Sequence, residues 1–174
     1  MKHSILTALF FTFICIFAAP VFADDMPEDI TGYWLTKKKD VVVKIDKCPD
    51  NHDERCGWIH WLKTDIQQYD IYNPDQSKRG RSLCGIVVLY DLEQRGDKWS
   101  GGRIYKANDG DTFKARLTRT DKDLIELRGY IGLPALGKTT YLTQADKEDY
   151  AACTIAEKIK VEKPRISADK ALNN

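Results

Sequence analysis

Apolar and polar residues alternate in eight short runs along this chain, at positions 32–36, 41–46, 57–62, 85–92, 98–106, 112–120, 124–130 and 139–143. The two-residue period is plainest in Val41, Val43 and Ile45 and again in Phe113, Ala115 and Leu117, which gives each run one apolar face. Arg95-Gly96-Asp97, Asn108-Asp109-Gly110 and Asp121-Lys122-Asp123 join runs as hairpin turns, and consecutive short links imply a meander. The pattern therefore predicts an all-β fold, a small eight-stranded up-and-down antiparallel barrel closed on itself. The interior of such a barrel holds packed side chains or one small ligand. One link differs from the rest: residues 63–83 are polar and carry Asn73-Pro74-Asp75 and Lys78-Arg79-Gly80-Arg81, and a loop of that length either carries function or plugs one barrel end. Beyond Gln144 the residues become charged. Residues 145–161 are expected to form one short amphipathic helix, followed by a loose tail.

The first residues alter the picture by placing the chain in a compartment. Lys2, an apolar stretch over 5–18 and Val21-Phe22-Ala23 ahead of Asp24-Asp25 have the layout of a cleaved secretory signal. Pro20 interrupts the stretch, which falls short of the roughly 20 residues that span a bilayer. Ile14 precedes Cys15 where a lipid-attachment motif needs a small residue, so a soluble mature chain without a membrane span is expected. The organisation read from this is a signal peptide over 1–23, a barrel domain over 24–144 and a C-terminal extension over 145–174, in the periplasm or outside the cell. Without the leader the chain carries 26 basic and 26 acidic residues, and that balance makes no electrostatic case for nucleic acid or an anionic membrane.

Four cysteines remain, Cys48, Cys56, Cys84 and Cys153, an even number that argues for disulfides in an exported chain. Three pairings are formally open. Cys48 ends one run and Cys56 begins the next, so antiparallel neighbours bring them together and leave Cys84 to reach Cys153. On the loop-entropy model the short bridge is worth about 2.5 kcal/mol and the long one about 4. The long one would tie the tail to the barrel. No C-x-x-C occurs, which disfavours a thiol-exchange enzyme.

Gly32-Tyr33-Trp34, Cys56-Gly57 with Ile59-His60-Trp61-Leu62, Asn73-Pro74-Asp75 with Arg79 and Arg81, Gly101-Gly102-Arg103-Ile104-Tyr105 and Leu127-Arg128-Gly129-Tyr130-Ile131-Gly132 together resemble the secreted bacterial proteins of domain-of-unknown-function family 2147, over about residues 30–143. The resemblance implies export and a β-rich domain, and supplies no reaction or catalytic residue. A looser likeness is to the lipocalin and avidin group. Its first strand carries Gly-x-Trp, and one barrel end is closed by a basic side chain stacked on that tryptophan. Trp34 fits the first feature, and Arg128 is the candidate for the second, a guanidinium on an indole being worth roughly 1 kcal/mol or more when desolvated. The runs are short, so a cavity would be shallow, which argues against large lipid ligands.

Catalytic chemistry is sparse. The mature chain has two histidines, His52 and His60, and lacks H-E-x-x-H, G-x-S-x-G and P-loop motifs. His60 reads as a structural residue at an outer or pocket-edge position. Asp50, His52, Asp53 and Glu54 match no metal loop, Asp109-Gly110-Asp111 reads as a turn, and Gly101-Gly102 reads as a bend in the wall, so no metal or cofactor is expected. Asp91 and Glu126, the acids well inside the runs, are expected to face outward. The candidate ligand-binding residues are Trp34, Trp61, Arg103, Tyr105, Arg128 and Tyr130: indoles for a partly apolar ligand, with a polar rim to orient a carboxylate. The leading expectation is a binder of a small, partly apolar molecule. The others are a filled barrel that contacts a protein partner through Trp58 and the 63–83 loop, and an envelope enzyme using Asp70, Asp75 or Arg79.

Overall fold

The computed structural model describes residues 29–160, so the expected signal peptide and the end of the tail lie outside the described residues. Nine strands follow one another: β1 (Gly32–Thr36), β2 (Val41–Lys47), β3 (Glu54–Leu62), β4 (Val87–Arg95), β5 (Lys98–Ser100), β6 (Arg103–Lys106), β7 (Asp111–Asp121), β8 (Leu124–Tyr130) and β9 (Lys138–Gln144). Every pairing is antiparallel, and β1 joins β9 to close the wall. β5 and β6 both lie between β4 and β7, as two halves of one strand parted at Gly101-Gly102. The barrel is thus eight-stranded, as the alternation predicts. Glycine is required at the break: Gly101 has φ +88°, and a Cβ on Gly102 would lie 2.0 Å from the Tyr90 carbonyl oxygen.

The interior is full. Trp34 and Ile45 are completely buried, Leu89 and Trp99 nearly so, and Ala115, Leu117, Ile125 and Leu142 pack among them. At Gly57 a Cβ would stand 2.9 Å from Leu89 Cδ1 and 3.0 Å from Val43 Cγ1, so even the glycine position is occupied by its neighbours. Short strands and two interior indoles leave this barrel a packed core.

Two irregularities shift the phase of the wall. Val43 pairs with Ile59 but Val42 with Trp61, so His60 is an extra residue and Ile59 and Leu62, three apart, both turn inward. On β4, Asp91 adopts φ 53°, and Leu89 and Leu92 are likewise both buried.

The bridges are Cys48–Cys56 and Cys84–Cys153, the pairing the run order indicates. The second holds the tail, and here an expectation is corrected: residues 145–160 contain no helix. The tail lies as irregular chain along β3, where the Cys153 amide donates to the His60 carbonyl at 2.8 Å and the Ile159 amide to the Gly80 carbonyl at 2.9 Å. Amides committed across the chain cannot form i→i−4 bonds, and a short isolated helix is marginal in water without packing.

Candidate functional site

The two ends of the barrel are finished differently. At one end Trp34 donates its indole Nε1–H to the Ile30 carbonyl at 2.8 Å, and the Arg119 guanidinium lies 5.4 Å from the ring centroid. Arg119 also donates to the Asp29 carbonyl at 2.7 Å, while Arg55 stacks 4.5 Å from the Trp99 ring and reaches the Asp29 carboxylate at 3.2 Å. Two arginines therefore seal two indoles at one end. Burial alone would raise the Asp29 pKa, but the hydrogen bonds from Thr31 and Arg55 hold it below the usual carboxylate value.

The basic residue over Trp34 is therefore Arg119, which corrects the assignment to Arg128. Strand parity explains it. Arg119 shares the inward phase of Ala115 and Leu117 and pairs with Ile125, whereas Arg128 pairs with Arg116 in the outward phase. Arg128 instead braces the link between β8 and β9, donating to the carbonyls of Pro134 at 2.6 Å and Ala135 at 3.0 Å and to Thr139 Oγ1 at 2.6 Å. Trp61 also lies outside the barrel, 5.0 Å from Tyr150 of the tail in an edge contact and beside Leu35 and Val42. His60 stands in an edge contact 4.6 Å from Tyr33, with Nε2 3.0 Å from the Tyr150 carbonyl.

At the other end the link between β3 and β4 folds back over the outer face of β4 and β6. It is pinned by the Tyr69–Ser82 bridge, by the Asp70 amide to the Arg81 carbonyl at 2.9 Å, and by the Leu83 amide to the Gln68 carbonyl at 2.8 Å. Beneath it lies the completely buried carboxylate of Asp70. Its Oδ1 accepts from the Tyr105 hydroxyl at 2.5 Å, and its Oδ2 accepts from Asn73 Nδ2 at 2.8 Å and from Arg81 Nε at 3.0 Å and Nη2 at 2.9 Å. A buried carboxylate is tolerated when its lone pairs are satisfied and its charge is paired, and both conditions hold here. Burial, followed by the bond to and charge of Asp70, pushes the Tyr105 phenol well above its ordinary value, and burial likewise raises Tyr90. Both hydroxyls remain protonated donors at neutral pH.

Between this network and the wall opens a cleft of about 320 Å³ lined by Asn73, Pro74, Asp75, Lys78, Arg81, Tyr90, Arg103, Tyr105 and Thr112. Arg103 pairs with Asp91 at 2.9 Å and Lys78 with Asp75 at 3.5 Å, both partly exposed. Of the six residues read as ligand-binding, Arg103 and Tyr105 meet in this cleft. Trp34 is sealed inside the barrel, Trp61 is beneath the tail, and Arg128 and Tyr130 lie further round the outer wall. The sequence reading missed Arg81 and Tyr90. Tyr90 pairs in register with Arg103, so alternation projected across the strands could have found it, whereas Arg81 was legible only as part of the basic 78–81 segment and reaches the cleft through the fold-back of the link.

Asp75 and Arg79, considered for catalysis, organise the link: Asp75 Oδ1 accepts from the Ser77 amide and hydroxyl at 2.9 and 2.7 Å, and Arg79 Nε donates to the Asn73 carbonyl at 2.7 Å. Among the described residues no cluster of three or more His, Cys, Asp or Glu is placed to hold a metal, and no helix is long and apolar enough to cross a membrane.

The profile of a family of uncharacterized proteins conserved in bacteria, DUF2147, matches residues 32–144. Among solved structures, protein HP1028 from the human pathogen Helicobacter pylori, described as belonging to the lipocalin family, superposes with a TM-score of 0.61 over 70% of this chain and 86% of its own, at 22% identity. That likeness is one of fold. No curated protein matches the chain.

Proposed function

The chain belongs to the bacterial DUF2147 family, and on that premise we propose that it is an exported binding protein of the bacterial envelope that takes a small, acidic, partly apolar molecule in the cleft beside Arg81 and Arg103. One observation carries the reading: two guanidiniums converge on one cleft, each with more N–H groups than its carboxylate partner takes up, while the barrel interior is filled by side chains. The remaining guanidinium N–H groups are the donors that orient a carboxylate; the Tyr90 hydroxyl is spent on the Val87 carbonyl at 2.7 Å and that of Tyr105 on Asp70, so these tyrosines supply apolar wall through their rings. Export is supported by the apolar leader and by two disulfides, which persist in oxidising compartments. Catalysis is not part of the proposal. The Asp70 carboxylate is saturated by four donors, and Asp75 is committed to the turn it caps.

Calorimetric titration of the oxidised protein with benzoate and glucuronate, set against benzyl alcohol and glucose, tests this. The acids should bind and the neutral compounds should not, and Arg103→Gln should weaken acid binding by roughly tenfold. Binding of neither acid, or equal binding of acid and neutral partner, removes the proposal.

One observation favours a second reading, a filled barrel that docks a protein. Trp58 is half-buried in a groove of about 370 Å³ shared with Ile59, Ala152 and Ile155. Capture of a partner that is lost on Trp58→Ala would support it, and a partnerless monomer would count against it.

A further inference from the structure

The link between β8 and β9 presents large apolar side chains to water. Ile131 is 74% exposed, Leu133 67% and Leu136 79%. Three apolar side chains of this size on one short link are unusual for a soluble surface, and such patches mark contact sites. The link is also built firmly. Arg128 donates to two of its carbonyls, the Leu136 amide donates to the Leu133 carbonyl at 3.1 Å, and the Gly137 amide donates to the Pro134 carbonyl at 3.0 Å. At its base a Cβ on Gly137 would lie 2.6 Å from the Gly129 carbonyl oxygen, so the link sits hard against the barrel rim.

Cations flank the tip. Lys138 follows Gly137 directly, and Lys114 pairs in register with Tyr130, the residue before Ile131. Neither lysine has an acidic partner among the described residues. The balanced charge of the whole sequence concealed this local excess.

We propose that this tip is a membrane-docking element: Ile131, Leu133 and Leu136 enter the outer layer of an anionic phospholipid bilayer while Lys114 and Lys138 meet its headgroups. An insertion of this kind needs no shape-complementary partner. A specific protein contact needs roughly 800 Å² on each side, more than one seven-residue link with three apolar side chains supplies. Apolar side chains flanked by two lysines without acidic partners match the layered chemistry of a bilayer surface, acyl chains below and negative headgroups above. The inference is independent of what the cleft binds.

Vesicle flotation tests it with the oxidised protein. Binding is expected to phosphatidylethanolamine vesicles containing phosphatidylglycerol, to weaken as salt rises, and to be much poorer to phosphatidylcholine alone. Leu133→Asp with Leu136→Asp should lower the bound fraction by about tenfold or more, and Lys114→Gln with Lys138→Gln by about tenfold. These side chains face solvent, so an unchanged melting temperature should accompany the loss. Absence of binding to the anionic vesicles, or binding indifferent to the tip substitutions, overturns the proposal. So does a tip-dependent dimer in light scattering without vesicle binding, which would make a second copy of the chain the occupant.

Discussion

Removing the carboxylate of Asp70 should be the most damaging single polar change in this protein. Its four accepted hydrogen bonds tie the 63–86 link to β6, and it is completely buried. In Asp70→Ala the Arg81 guanidinium, the Asn73 amide and the Tyr105 hydroxyl face a void. Removing one partner of a buried ion pair costs about 3–5 kcal/mol. The Arg81 side chain is 33% exposed and regains water, which places the cost near the lower end, about 3 kcal/mol. Asp70→Asn keeps the volume. Its oxygen can still accept from Arg81 and Asn73, but its NH₂ must then face the Tyr105 hydroxyl, which has to turn round and accept. The ion pair with Arg81 becomes a guanidinium bond to a neutral amide oxygen, at about 1–2 kcal/mol. Tyr105→Phe, which leaves one carboxylate oxygen without its donor, should cost about 1 kcal/mol. Urea unfolding of the oxidised proteins at neutral pH, with m unchanged, should rank the midpoints wild type, Tyr105→Phe, Asp70→Asn, Asp70→Ala. A midpoint for Asp70→Asn equal to wild type, with Asp70→Ala still low, would mean that volume rather than charge holds the link. A midpoint for Asp70→Ala within error of wild type would refute the reasoning outright.

Three further outcomes follow from the same structure. Because the folded-state pKa of Tyr105 is raised, its contribution is fully present below the unfolded value of about 10 and fades as pH climbs toward the folded one, so stability should fall in alkali and Tyr105→Phe should flatten that fall in pH-dependent unfolding. Gly57→Ala pushes a methyl against Leu89 and Val43 and should destabilise by about 1–3 kcal/mol, lowering the thermal midpoint; a neutral result would mean the interior has room. Arg119→Ala uncovers the Trp34 indole and frees the Asp29 carbonyl, and should cost about 1–2 kcal/mol with a red shift in tryptophan emission, whereas Arg128→Ala should leave the emission unmoved.

Alternation made most of the wall legible. The runs at 32–36 and 124–130 coincide with β1 and β8 residue for residue, and the others differ by a few residues at their ends or, at 98–106, by the glycine break. The period is a direct consequence of a wall with one face in the core, so it survives in sequence. Phase does not survive so well. The extra residue at His60 turns Trp61 outward, although strict alternation from Ile59 places it inside. Arg119 was readable, since counting by twos from Ala115 and Leu117 reaches it and counting from Ile125 and Leu127 excludes Arg128. The Asp70 network was not readable. Its members lie 3, 11 and 35 residues away along the chain, and only the fold-back of a long link brings them together. The tail failed for a related reason: its helical spacing is real, but the bond from Cys84 to Cys153 and the amides committed to His60 and Gly80 outweigh a marginal local preference.

The filled interior has a consequence for how a lipocalin-like barrel could bind anything. Recognition needs unsatisfied donors and apolar surface left accessible, and inside this wall both are consumed: the Trp34 indole N–H is spent on Ile30, and Arg119 and Arg55 close the end above the two indoles. What an open calyx would present inward is displaced to the outer phase of the same strands, where Tyr90, Arg103 and Lys114 stand in one register row across β4, β6 and β7. Like charges directly opposite each other on a sheet cost stability, and the Arg103–Lys114 neighbours carry that cost with the Arg103–Asp91 ion pair as the offset. Arg116 stands opposite Arg128 in the same way, and the buried Nε of Arg116 has no hydrogen-bond partner. This row of cations runs along the outer wall between the proposed cleft and the proposed docking tip, and it is, with the filled interior, the reason both proposals place binding outside the barrel.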